Sequence, residues 1–194
     1  MFFFTKPVAY DYLVLPLEKS IYDLTPAQAR RYFEWYMEKL PERVAYVSRV
    51  CAKELLIPQA RMDCSPESLI LLWRWLRRRA KTELSPCPGD PKRKVLTTET
   101  ELILLDVGMY LGETLHRNVP GLQWSCYTQP KKDFFCNHPL LTGFVDMSSG
   151  KPFQAVFEPI HMAKVQATKL LRHTSLAHDL YDLYELWAKK APSI

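Results

Sequence analysis

Apolar side chains recur at three- and four-residue spacing through most of the chain, which is the period of a helix with one buried face. Leu24-Thr25-Pro26 opens the first such stretch. Thr25 suits an N-cap, Pro26 the first helical position, and Gln28 completes a capping-box pattern. Ala29, Tyr32, Phe33, Tyr36, Met37 and Leu40 then share a face. Pro41 is expected to start a second helix, with Val44, Val47, Val50, Cys51 and Leu55 inward and Pro58 as its stop. A third helix is expected behind Ser65 as cap and Pro66 as first residue, with Leu69, Leu72, Trp73 and Leu76 buried. The longest runs from Thr97 or Thr98 to Asn118 and is apolar on most of its surface through Leu102, Leu105, Val107, Met109 and Leu111, so it is expected at the centre.

After Val119-Pro120-Gly121 the pattern changes to short aromatic and β-branched runs. Leu122–Thr128, Leu140–Met147 and Phe153–Phe157 read as a three-stranded antiparallel meander, turning at Ser148-Ser149-Gly150-Lys151. Helical spacing returns over Met162–Leu171 and again from Ser175, where Leu176, Leu180, Leu183, Tyr184 and Trp187 face inward. Residues 2–17, punctuated by Pro7 and Pro16, suit an edge strand or extended arm. Together these elements give an α+β fold, with N-terminal helices and a long central helix packed on a small antiparallel sheet, and C-terminal helices closing it. The 194 residues make one domain: a mainly helical half over 1–84, an exposed basic loop over 85–96, and a mixed half over 97–194.

Composition changes this picture in three ways. Fifteen prolines against six glycines call for stiff connections. Five cysteines without C-x-x-C spacing suit reduced thiols in a cytoplasmic protein. The N-terminus lacks the basic flank and cleavage site of a signal peptide, and no apolar run is long enough to span a bilayer, so no membrane association is expected. Charge is uneven: residues 1–96 hold 17 Lys and Arg against 11 Asp and Glu, while 97–194 hold 9 against 10. The excess lies in Arg74, Arg77, Arg78, Arg79, Lys92, Arg93 and Lys94. This block suits an anionic partner, nucleic acid included, with Trp73 or Trp75 available for stacking. The stronger reading of it is a solvated helix end complementing the helix dipole.

Gly108 and Gly112 lie one turn apart on the long helix. Glycine costs about 1 kcal/mol against alanine in a helix interior, so another element is expected to press on the backbone there. Gly108, Tyr110, Leu111, Gly112, Glu113, Arg117, Asn118 and Trp124 form a helix ending in G-x-Y-L-G-E, then R-N, then a tryptophan-bearing strand. This resembles a pattern in small bacterial proteins of unknown function, some of which resemble immunity proteins of polymorphic toxin systems. The resemblance does not reach the N-terminal helices. It implies a non-catalytic cytosolic protein that covers a site on a toxin, or an adaptor, and it transfers no catalytic residue. The expected partner-binding residues are Tyr110, Glu113, Arg117 and Trp124, with Lys131, Lys132, Phe134 and Phe135 from a loop mixing cations and paired aromatics.

Catalytic readings are thinner. Glu113-x-x-His116 and Glu158-x-x-His161 share the spacing of a di-metal carboxylate site, but Pro159 interrupts the second, and Glu113 has Arg117 four residues on as a partner. His173, His178, Asp179 and Asp182 fall short of the ligand set of a phosphohydrolase. Cys126 or Cys136 with His138 lacks an oxyanion-hole motif. The leading expectation is therefore protein binding without cofactor or metal. The alternative is anion or nucleic-acid binding through 74–94, and the third reading is a hydrolase or metal enzyme with a carboxylate–histidine site.

Overall fold

The computed structural model describes residues 8–87, 89–90, 92–146 and 152–191. The expected turn at 148–151, the end of the second strand at Met147 and the first residues of the arm lie outside them. The architecture is α+β, with five α-helices and a two-stranded and a three-stranded antiparallel sheet among the described residues. In chain order these are α1 (Pro26–Leu55), α2 (Ser68–Arg79), β1 (Thr82–Leu84), β2 (Lys94–Leu96), α3 (Thr98–Asn118), β3 (Gln123–Ser125), β4 (Leu140–Asp146), β5 (Phe153–Phe157), α4 (Pro159–Leu171) and α5 (Asp179–Ala188). Among the described residues no helix is long and apolar enough to cross a membrane.

The expected break at Pro41 does not occur. α1 runs straight through it for 30 residues. An interior proline costs about 3 kcal/mol, but the buried positions Ala29, Tyr32, Tyr36, Leu40, Val44, Val47, Cys51 and Leu55 keep one register on both sides of Pro41. One continuous stripe buried against α3 outweighs the lost hydrogen bond. The N-terminus carries the expected capping box between Thr25 and Gln28. α2 begins two residues later than Ser65 as cap and Pro66 as first residue suggest, because Ser68 and Leu69 first make tighter turns back to the carbonyls of Ser65 and Pro66. α5 likewise begins at Asp179 rather than Ser175, with the Asp179 carboxylate taking the backbone N–H of Leu176.

The loop expected over 85–96 is shorter than its composition implies. Thr82↔Leu96, Glu83↔Val95 and Leu84↔Lys94 pair as a hairpin. Three-residue, largely exposed strands leave no alternation for the sequence to display. The three-stranded meander has the expected order, with β4 between β3 and β5.

One apolar core joins both halves of the chain, from Tyr36, Val47, Leu72 and Trp75 through Leu104, Met109 and Leu111 to Phe144, Phe157 and Leu180. α3 is its axis: thirteen of its 21 residues are buried. A Cβ on Gly108 would lie 2.6 Å from the Ile160 Cα, and one on Gly112 would lie 2.5 Å from the Trp124 ring and 2.7 Å from Pro159. The glycine pair thus lets the start of α4 and the β3 tryptophan rest on the α3 backbone. Trp187 of α5 seals the sheet, edge-on to Phe144 at 5.0 Å and Phe157 at 4.9 Å.

Inside this core sits a buried ion pair. Asp106 accepts from Arg43 Nε at 2.9 Å, Arg43 Nη2 at 2.6 Å and the Tyr10 hydroxyl at 2.5 Å. Asp106 is fully buried, and Arg43 is 3% exposed. Burial raises the Asp106 carboxyl pKa, while the bonds from Arg43 and Tyr10 pull it back down. Arg43 Nη2 also donates to the Asp11 carbonyl at 2.7 Å. Nearby, Glu54 pairs with Arg79 and accepts from Trp75 Nε1 at 2.7 Å and Val8 N at 2.9 Å, while Arg79 Nη2 donates to the Val8 carbonyl. The N-terminal arm is therefore clasped to α1, α2 and α3 by charged side chains, and its described part joins no sheet.

Candidate functional site

One concavity lies at the N-terminal end of α4. Its volume is about 370 Å3 and it is open to solvent. One wall is α4 itself, with Ile160, His161 and Lys164. The opposite wall is the 15–22 segment, with Leu15, Leu17, Ile21 and Tyr22. Phe134 and His138 come from the β3–β4 connection, and Tyr32 from α1.

Glu158 explains why α4 starts here. Its carboxylate caps the helix by accepting the backbone N–H of His161. Pro159 occupies the first helical position, where no N–H is required. Glu158 is 2% exposed, and its other oxygen lies 3.8 Å from His138 Nδ1, beyond hydrogen-bond reach. The buried carboxylate answers the positive end of the helix.

The β3–β4 connection is pinned by its polar residues. Asn137 Nδ2 donates to the Ile21 and Leu24 carbonyls, at 2.8 and 3.3 Å, and Lys131 Nζ donates to Leu24 O at 2.6 Å. The Asp133 carboxylate takes the Tyr127 hydroxyl at 2.5 Å and the Phe135 N–H at 2.8 Å. These bonds hold five rings together. Phe134 and Phe135 meet edge-on at 5.1 Å, and His161 lies 5.1 and 5.5 Å from them. Tyr22 approaches His138 at 5.4 Å and Phe134 at 6.2 Å. Phe134 is 55% exposed and Tyr22 44%, a large apolar area to leave in water.

The expected partner-binding residues divide. Phe134, Phe135, Lys131 and Lys132 sit on this rim, although Lys131 also ties the loop down. Tyr110 does not reach a surface. It is fully buried, donating to Ser68 Oγ at 2.7 Å and accepting from Cys64 N at 3.0 Å. The long helix is buried so thoroughly that its tyrosine is a core strut. Trp124 covers Gly112 and meets the Tyr36 ring at a tilt, 5.6 Å between centroids, so its ring is spent on packing. Glu113 pairs with Arg117 at 2.7 Å across one turn, the local pairing its spacing suggests.

The two E-x-x-H pairs do not build a metal centre. His116 Nδ1 stands 3.8 Å from Glu113, and His161 meets Glu158 through its backbone. Among the described residues no three His, Cys, Asp or Glu side chains gather as ligands. The Cys126 and Cys51 thiols are held in their protonated form. Burial and the neighbouring Cys136 push Cys126 up to about 11, and burial pushes Cys51 up to about 12, away from the thiolate a nucleophile needs. Burial also raises the Tyr32 and Tyr36 hydroxyls, with the Glu158 charge adding to the effect.

Within the basic block, Arg79 is committed to Glu54. Trp73 and Trp75 are buried, with Trp73 Nε1 donating to the Leu176 carbonyl, so neither can stack on a base. Arg74, Arg77, Arg78, Lys92, Arg93 and Lys94 are exposed. The sequence reading missed Tyr22, Tyr32 and His138 as companions of Phe134, because they come from separate segments and only the fold unites them. It also passed over Asp106. A single carboxylate inside the otherwise apolar run from Leu102 to Gly112 was a usable signal, since such a charge requires a buried partner. No known protein family, no curated protein and no solved structure matches this chain.

Proposed function

We propose that this chain is a non-catalytic binding protein that docks a protein partner on the aromatic rim around the α4 N-terminus, with an immunity-type role toward a toxin as the leading form. The observation that carries the reading is the pair of exposed rings, Phe134 and Tyr22, held over an open concavity by a loop whose polar residues are bonded to the body. Rigid, exposed aromatics beside a pocket are what interface hot spots use, because little side-chain entropy is lost on contact. The surrounding charge selects the partner's chemistry. Lys19 is exposed at the mouth and Lys164, paired with Glu101 at 3.1 Å, stands beside it, so the fitting surface presents an apolar or aromatic anchor with a carboxylate toward Lys19. The histidine–carboxylate spacing of 3.8 Å and the raised Cys126 thiol favour contact over chemistry.

The test is co-expression with the product of an adjacent open reading frame. The wild-type chain is expected to form a stable complex and protect the host, while Phe134→Asp and Tyr22→Asp weaken the complex about thirtyfold or more, the effect of losing a hot-spot side chain. Rim variants that bind and protect as well as wild type would overturn the proposal.

A further inference from the structure

A second concavity, of about 510 Å3, lies at the opposite end of α4. It is lined by Lys92, Arg93 and Lys94 from the hairpin connection and the start of β2, and by Thr168, Leu171, Arg172 and His173 from the end of α4. No acidic side chain lines it. His173 is shared with an adjoining groove that also holds Arg77 and Ser175, so the cationic track continues onto α2. The sequence places Arg77 and the Lys92–Lys94 run some fifteen residues apart, and Arg172 far from both. Only the packing of β2 beside α4 makes them one surface.

These cations are free to meet a ligand. Arg77, Lys92, Arg93, Lys94 and Arg172 are exposed, and none forms an ion pair among the described residues. The end of α4 is held in a fixed geometry. Thr174 N returns to the Lys169 carbonyl at 3.0 Å and His173 N to Leu170 at 3.3 Å, with His173 at φ +55°. This is a helix-ending turn that normally recruits glycine at the left-handed position. Here the residue is a histidine, kept at a conformational cost, and it lines both grooves.

We infer that this track binds the phosphate backbone of double-stranded nucleic acid. Three arginines supply forked donors that match phosphate oxygens. No Phe, Tyr or Trp lines either groove and Trp73 and Trp75 are buried, so His173 is the one ring beside the track, short of the successive stacking platforms that single-strand binders rely on. Backbone contact without base stacking suits a duplex and predicts little sequence preference. The inference stands on a different face from the aromatic rim and is independent of the reading above.

The experiment is fluorescence anisotropy of the full chain with a mixed-sequence 20-base-pair DNA duplex, the matching single strand and a polyglutamate peptide, over a salt series. With about four phosphates contacted, duplex affinity is expected to fall about a hundredfold between 50 and 200 mM salt. Arg172→Glu and Arg93→Glu, each checked for unchanged circular dichroism, are each expected to weaken duplex binding about tenfold or more and flatten the salt slope. Arg30→Glu, which changes the net charge equally from exposed α1, is expected to have a small effect. Polyglutamate or single strand bound as tightly as duplex would overturn the inference, as would absent or salt-independent duplex binding. Equal losses in the Arg30 and Arg172 variants would also overturn it, since they would place the effect in net charge rather than in this track.

Discussion

Replacing Asp106 with asparagine tests whether the buried charge centre holds the first helix and the arm to the central helix. The carboxylate carries three hydrogen bonds within 2.9 Å and has no contact with water. Asparagine keeps the shape but leaves the buried Arg43 guanidinium with only the exposed Asp11 carboxylate, 3.5 Å away, as a counter-charge, which costs about 3–5 kcal/mol. Native domains have about 5–15 kcal/mol in all, so this is a large share. In urea, with a slope of about 2.5 kcal/mol per molar for a chain of this size, the midpoint is expected to fall by about 1.5 M. Removing the whole centre should do less harm. A Tyr10→Phe, Arg43→Met, Asp106→Leu triple variant leaves no unpaired charge and is expected to recover most of the loss, because an apolar replacement of a buried pair is often neutral. The assay is equilibrium unfolding by circular dichroism and tryptophan fluorescence, with Arg43→Met and Asp106→Leu completing a double-mutant cycle. Single losses that simply add, with a coupling under about 0.5 kcal/mol, would refute the reasoning, because side chains this close and this buried cannot be independent.

Two further outcomes follow from the geometry. Gly108→Ala gains about 1 kcal/mol of helix propensity but drives a methyl into the Ile160 backbone, where overpacking costs about 1–3 kcal/mol or more; a net loss of about 1–2 kcal/mol is expected by the same urea assay, and a stabilised variant would refute the close approach. The raised thiols set an alkaline limit: Cys126 and Cys51 hold their protons to about 11 and 12 when folded, against 9.0 unfolded, so their contribution is complete below pH 9 and is lost as pH rises through 11 and 12. The urea midpoint should therefore drop between pH 9 and 11, and Cys126→Ala should shallow that drop; a midpoint that climbs over this range would contradict the burial argument.

Much of the fold was legible because its signals were local. The Thr25 cap, the long α3 and the β3–β4–β5 order each follow from spacing that lies within a few residues. Pro41 misled because a local breaker lost to an apolar stripe thirty residues long. The hairpin over 82–96 escaped because short exposed strands bury nothing that would pattern them. The sites were only half visible for the same physical reason. Phe134 and the 92–94 run announced themselves by composition, whereas Tyr22, His138, Arg172 and His173 acquire meaning from neighbours more than fifty residues away.

The aromatic rim has two walls of unequal freedom. The α4 wall rests, through Gly108 and Gly112, directly on the backbone of the central helix, so any change in the placement of His161 or Lys164 must be transmitted into the core. The facing wall hangs from a few bonds to the Ile21 and Leu24 carbonyls. Substitutions at Tyr22, Lys132 or Phe134 alter the surface offered to a partner without disturbing what the core depends on. A chain built this way can vary one lip of the pocket while the other lip keeps its frame.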